Sequence, residues 1–266
     1  MSRLFERLFS LKGRVALITG ASGGIGRALA IAFAEAGAVV AVHGVSKDKI
    51  ETTQQLIKKV GGRSAGFAEE LRDTKACRSL VATVAKQLKR LDILINCAGT
   101  NRRKPIRAIT EEDYDFITSI NLRSVFFLCQ AAYPIMRDQG GGKIINVGSI
   151  SSTDGLGGVS VYGATKAAVA QLTKTMALEW AKDNIQVNCL APGFLMTPLT
   201  EAGLWGDPHR RQWLLDRIPA GRPGKPEELV GAALLLASNA SSYLTGQILN
   251  VDGGYLAGGS WLLEGE

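Results

Sequence analysis

Cysteine is scarce in this sequence and never paired. Cys77, Cys97, Cys129 and Cys189 are its four thiols, and no two stand at zinc-motif spacing, so no metal site is expected. They read as buried reduced thiols of a cytoplasmic protein rather than a disulfide framework. Long apolar runs are missing too. No stretch approaches the ~20 residues of a membrane span, and residues 1–10 lack the apolar core of a signal peptide. Leu4, Phe5, Leu8 and Phe9 instead share one face of a short amphipathic turn expected to dock on the body rather than on a membrane. Linkers rich in proline, serine or charge are absent, as are internal repeats, so residues 1–266 are expected to form one domain. The net charge of +7 is scattered along the chain rather than gathered in a block. That excludes the usual footprint of a nucleic-acid binder and leaves a basic surface suited to anionic cofactors and substrates.

What is present is core and glycine: 46% hydrophobic residues and 31 glycines, enough for a large core with many tight turns. Strand-like runs occupy residues 14–19, 39–43, 63–67, 91–96, 143–147, 185–190 and 248–251. Helical spacing fills 24–36, 46–60, 73–88, 111–137, 161–181 and 226–238. Near-continuous apolar strands alternating with helices predict an α/β fold: a doubly wound, seven-stranded parallel sheet with helices on both faces. Residues 194–225, which hold Pro198, Pro208, Pro219, Pro223, Trp205 and Trp213, interrupt this alternation. A stretch of that length is usually functional, and it is read as a lid over a substrate pocket.

Two motifs carry chemistry. Between the first strand and the first amphipathic helix lies Thr19-Gly20-Ala21-Ser22-Gly23-Gly24-Ile25-Gly26. Glycines permit a tight turn and close backbone approach, and the helix N-terminus offers N–H groups and a partial positive charge, which together suit a dinucleotide pyrophosphate. An acid ending the second strand would hold ribose hydroxyls and favour NAD. The chain there reads His43-Gly44-Val45-Ser46-Lys47, and Ser46, Lys47 and Lys49 suit a 2′-phosphate. NADP is the expected cofactor, with NAD left open. Far downstream, Tyr162 and Lys166 stand four apart on one helical face. A phenol is a weak acid at neutral pH, and a nearby ammonium favours its ionised form, which fits a proton exchanged with a carbonyl or alcohol oxygen. Ser149 follows an apolar strand, where it would polarise the same oxygen.

These motifs, in this order, resemble the short-chain dehydrogenase/reductase family over residues 11–255. The resemblance implies a Rossmann-like subunit, usually a tetramer, with a Ser149–Tyr162–Lys166 site. It adds Asn121 as the helix asparagine of a water-linked proton relay to the lysine. Asn96-Cys97-Ala98-Gly99 looks like the family's Asn-Asn-Ala-Gly turn below the adenine ribose, with Cys97 departing from it. Glu70-Leu71 occupies the place of the acid-plus-aliphatic pair beside the adenine. Pro192-Gly193, with Leu195 and Thr197, looks like the loop holding the nicotinamide carboxamide. Within the family, residues 99–105, 219–229 and 245–254 are most similar to gluconate 5-dehydrogenases and 2-deoxygluconate 3-dehydrogenases. In the first of these segments Arg102 and Arg103 are candidates to clamp a sugar-acid carboxylate. A 3-oxoacyl-carrier-protein reductase, a broad carbonyl reductase and a non-catalytic dinucleotide-binding scaffold remain alternatives.

Overall fold

The computed structural model describes residues 3–197 and 200–258; Pro198 and both ends of the expected 1–266 domain lie outside them. Seven strands, β1 (Val15–Ile18), β2 (Val39–Gly44), β3 (Arg63–Ala68), β4 (Ile93–Asn96), β5 (Gly142–Val147), β6 (Ile185–Pro192) and β7 (Ile248–Val251), form one sheet in the order β3-β2-β1-β4-β5-β6-β7. Every pairing is parallel. Strands β1, β4 and β6 are buried at every position because helices cover both faces of the sheet.

On one face α2 (Gly24–Glu35), α3 (Lys47–Lys59) and α9 (Val230–Ala237) pack Leu29, Phe33, Ile50, Ile57 and Leu236 onto the sheet. On the other, α4 (Thr74–Leu88), α6 (Ser124–Asp138) and α7 (Ser160–Trp180) bring Val81, Val84, Leu128, Met136, Val169 and Met176. Each such side chain contributes roughly 1.5–3 kcal/mol when fully buried. Ser46 caps α3 by accepting from the Lys49 amide, and Asp73 caps α4 through Lys75, which fixes where those helices begin.

Several elements depart from the sequence expectation, among them the helix expected over 226–238, which opens on a 3-10 turn at Pro226–Leu229 before α9. The helix expected over 111–137 is α5 (Glu111–Thr118), a π-turn at Ser119–Arg123, and α6. Leu91 and Asp92 precede β4 because the Asp92 carboxylate accepts from the Val15 amide and from Arg90. The segment expected to act as a lid has its own structure: a π-turn at Glu201–Trp205 and α8 (Pro208–Leu215), capped by Asp207. Trp205, Leu214 and Ile218 form a small third core there with Phe194 and Tyr255. The amino-terminal helix α1 (Arg3–Phe9) touches the body less than expected. Leu4 and Phe5 stay exposed while Leu8 and Phe9 are half-buried, and its carboxyl end accepts a bond from Asn239.

Because β1 sits between β2 and β4, the chain leaves the carboxyl ends of β1 and β4 toward opposite faces. In open parallel sheets that switch point is where ligands bind, and the candidate residues Gly20, Asn96 and Ser149 stand at or just after the carboxyl ends of β1, β4 and β5.

Candidate active site

The turn after β1 is shaped by contacts only glycine tolerates. A Cβ on Gly26 would lie 2.4 Å from the Gly20 carbonyl oxygen, and one on Gly20, whose φ is +69°, would lie 2.9 Å from the Ala98 Cα. Helix α2 therefore starts directly against the strand end. Gly23 and Gly24 differ: a Cβ on either would meet no protein atom. The first turn of α2 has no side-chain cap, so its amides face open space. That is a cradle fitted to a pyrophosphate.

The second strand ends in His43, which is buried. Its Nδ1 accepts from the Gly20 amide at 3.3 Å, so Nε2 is the protonated nitrogen and donates to the Glu69 carbonyl at 3.1 Å. Burial pulls its pKa down to about 4. The unfolded chain takes up the proton first as pH falls below 6.5, so stability present at neutral pH drains away toward pH 4, by on the order of 3 kcal/mol from this group. Urea unfolding followed between about pH 7 and about pH 4.5 should therefore show a steeper loss for the wild type than for His43→Asn; parallel slopes would exclude the effect. Beyond His43 the chain carries no acid until Asp48. Val45 and Lys47 are exposed, and Ser46 is occupied in capping. Glu70 pairs with Arg72 at 3.4 Å, and Leu71 is buried.

The β4 turn is tied to β1 by Thr19, whose hydroxyl accepts from the Cys97 and Ala98 amides. Asn96 turns inward. Its amide nitrogen donates to Asn146 at 2.8 Å and to Cys129 at 3.1 Å, and its own oxygen is buried without a partner. Burial pushes the Cys97 thiol up to about 11, which keeps it protonated at neutral pH. Gly99 faces both Asn121 and Lys166, since a Cβ there would lie 3.6 Å from Asn121 Oδ1 and 3.7 Å from Lys166 Nζ.

Asn121 lies in the π-turn, fully buried, and its side chain brackets Thr100: Oδ1 accepts from the Thr100 amide at 2.8 Å and Nδ2 donates to its carbonyl at 2.9 Å. A π-turn adds a residue to the helix and displaces its backbone bonding locally, a device common at functional sites. Ser149 follows β5 in extended conformation, its hydroxyl accepting from the Ser151 amide. Tyr162 and Lys166 occupy the first turns of α7. Lys166 Nζ donates to the Val147 carbonyl at 2.7 Å and stands 5.6 Å from the centre of the Tyr162 ring. The ends of β4 and β5 and the first turns of α7 thus bring Gly99, the Val147 carbonyl, Tyr162 and Lys166 together, with Ser149 two residues beyond Val147.

Gly193 packs on Asp252, where a Cβ would lie 2.6 Å from Cα, and its amide bonds to Val251 after Pro192 ends β6. The carbonyl of Leu195 accepts from Thr200 and Trp205, and Thr197 bonds to Thr200. The two candidate arginines part company. Arg102 is engaged: it donates to buried Asp113 at 2.9 Å and Glu112 at 3.1 Å, and lies over Phe116. Lys104 completes that cluster on Asp113 at 2.6 Å, and the paired cations hold the Asp113 carboxyl far below the usual range. Arg103 instead points to the carbonyl of Gly203 at 3.4 Å. Its guanidinium is held below its ordinary value by desolvation and by Arg210, with Tyr162 acting in the opposite sense. Thr19 and His43 stood in the motifs the sequence singled out, but their roles in tying β1 to β4 and to β3 were not read there, and Arg210 has no local signal.

Comparison with known proteins agrees with this geometry. A family model described as "Enoyl-(Acyl carrier protein) reductase" matches residues 20–256. The chain is 42% identical over 247 residues to a gluconate 5-dehydrogenase of Gluconobacter oxydans (strain 621H), covering 93% of this chain and 96% of that one. A 3-oxoacyl-[acyl-carrier-protein] reductase of Thermotoga maritima is 40% identical, with 92% and 98% covered. The crystal structure of a gluconate 5-dehydrogenase from Burkholderia cenocepacia J2315 in complex with NADP and tartrate superposes with a TM-score of 0.92 at 39% identity, covering 96% of this chain and 100% of that one.

Proposed function

Since the chain belongs to the short-chain dehydrogenase/reductase family, we propose that this NAD(P)-dependent oxidoreductase interconverts the ketone and secondary alcohol of a sugar acid, with NADP as its preferred cofactor. The observation that carries the reading is the position of Lys166, held by the Val147 carbonyl beside the Tyr162 ring and against Gly99.

The glycine cradle would hold the pyrophosphate on the uncapped amides of α2, and Gly99, Lys166 and the loop from Pro192 would line the nicotinamide end. When bound, the nicotinamide supplies or accepts the hydride. The chain's own residues do the rest. Ser149 Oγ holds the substrate oxygen and stabilises its developing charge. Tyr162 gives that oxygen its proton in reduction and takes it in oxidation. Lys166 places a positive charge beside the phenol, and the π-turn at Asn121 anchors the Thr100 backbone beneath it, where the relay expected at Asn121 would resupply the proton. NADP is supported by the absence of an acid after β2, by Lys47 and Lys49 at that edge, and by the NADP in the Burkholderia relative. A hydroxy-acid substrate is supported by that relative's tartrate and by Arg103, which has no carboxylate paired to it among the described residues and bonds instead to the Gly203 carbonyl.

Assays with NADPH and NADH on 5-keto-gluconate, an acetoacetyl thioester and an aryl ketone test the reading. The keto acid with NADPH should give the highest kcat/KM, and Arg103→Gln should raise KM for it by roughly tenfold. A preference for the thioester would transfer the chain to the acyl-carrier reductases. The same proposal includes a cytoplasmic homotetramer, supported by apolar Tyr114, Phe126 and Leu178 exposed on α5, α6 and α7. No helix of the described residues is long and apolar enough to cross a membrane.

A further inference from the structure

Two guanidinium groups converge on one neutral oxygen in the segment that follows β6. Arg103 Nη1 lies 3.4 Å and Arg210 Nη1 3.0 Å from the Gly203 carbonyl. They come from unrelated elements, the loop after β4 and helix α8, so the fold alone brings them together. Like charges this close repel each other, and one carbonyl dipole does not neutralise two cations. The carboxylate in reach, Asp207, meets Arg210 Nε at 3.4 Å while it also caps α8 by accepting from the His209 and Arg210 amides. No acid pairs with Arg103 among the described residues. Arg102 and Lys104 are matched to Asp113 and Glu112, whereas the Arg103–Arg210 pair has one carboxylate, Asp207, for two cations. Two forked donors with one shared neutral acceptor suit a bidentate anion.

We propose that Arg210 is a specificity residue, the second arm of a site in which Arg103 and Arg210 together take the carboxylate of the substrate. The inference rests on the sugar-acid reading above for the identity of that carboxylate, but not for the existence of the anion site. Selection against uncharged ketones follows from it. A neutral substrate leaves two adjacent cations with only Asp207 against them, whereas a substrate carboxylate balances the second as it binds.

The test compares wild type, Arg210→Gln and Arg210→Lys on 5-keto-gluconate and on an uncharged ketose. It also measures inhibition of ketone reduction by tartrate. In Arg210→Gln the ratio of kcat/KM for the keto acid over the ketose should fall about tenfold, chiefly through KM, with partial recovery in Arg210→Lys. The tartrate inhibition constant should weaken by a similar factor. A merely structural Arg210 would lower both substrates alike and leave the ratio and the tartrate constant unmoved, which would overturn the inference. A wild type indifferent to the substrate carboxylate would defeat the sugar-acid reading. The tartrate series then still decides the anion site: weaker inhibition in Arg210→Gln sustains it, and equal or absent inhibition removes it.

Discussion

Replacing Tyr162 by phenylalanine should lower kcat by about 10³-fold, within the range for loss of a positioned proton donor, while NADPH binding changes only a few-fold. The substitution deletes one oxygen and leaves the ring, so Lys166 keeps its bond to the Val147 carbonyl and its place beside an aromatic face. The glycine cradle, built from β1 and α2, is untouched. What disappears is the hydroxyl to which the proposal assigns protonation of the substrate oxygen. Steady-state turnover and a fluorescence titration with NADPH, run on the same preparation, separate the two effects. A variant that turns over within tenfold of the wild type would place proton transfer elsewhere.

Gly26→Ala should be nearly as damaging, for a different reason. Alanine is favoured over glycine in a helix by about 1 kcal/mol, so propensity alone predicts a gain. The new Cβ, however, would lie 2.4 Å from the Gly20 carbonyl oxygen and 2.9 Å from the Ala21 Cα. These are backbone atoms that cannot swing aside, and overpacking of this kind costs roughly 1–3 kcal/mol or more. The clash wins. Helix α2 must shift away from the β1 turn, and a displacement near 1 Å at a positioned binding group costs on the order of 10²-fold. The expected outcome is a lower melting temperature together with NADPH affinity weakened about a hundredfold. Gly23→Ala is the matched comparison. Its Cβ would meet no protein atom and its backbone is extended, so stability should hold while the methyl intrudes on the space assigned to the pyrophosphate and weakens binding. Wild-type stability and affinity in Gly26→Ala would contradict the close approach of strand and helix.

The sheet was legible because its central strands are buried on both faces and include short unbroken apolar runs such as Val15–Ile18 and residues 93–95. The glycine turn and the Tyr162–Lys166 spacing were legible because each depends on neighbours in sequence. Features set by distant neighbours were not. Asn121 stands in a π-turn that adds one residue to a helix, which an amphipathic pattern across 111–137 averages away. Asn96 is directed into the interior by Asn146 and Cys129, residues of β5 and α6. Arg102 and Arg103 are chemically identical, and only the placement of Asp113 on α5 and of Gly203 after β6 separates the acid-paired one from the one bonded to a backbone carbonyl. Likewise His43 is an unremarked member of a strand until β3 supplies the Glu69 carbonyl.

Transfer of deuterium from NADPH labelled at C4 of the nicotinamide to the product of 5-keto-gluconate reduction tests the central claim most directly. The expected result is one deuterium on the new carbinol carbon with the wild type, and none above background with Tyr162→Phe in the same interval. Label left on the cofactor by the wild type, with the ketone recovered unchanged across keto acid, thioester and aryl substrates, would contradict hydride transfer at this site.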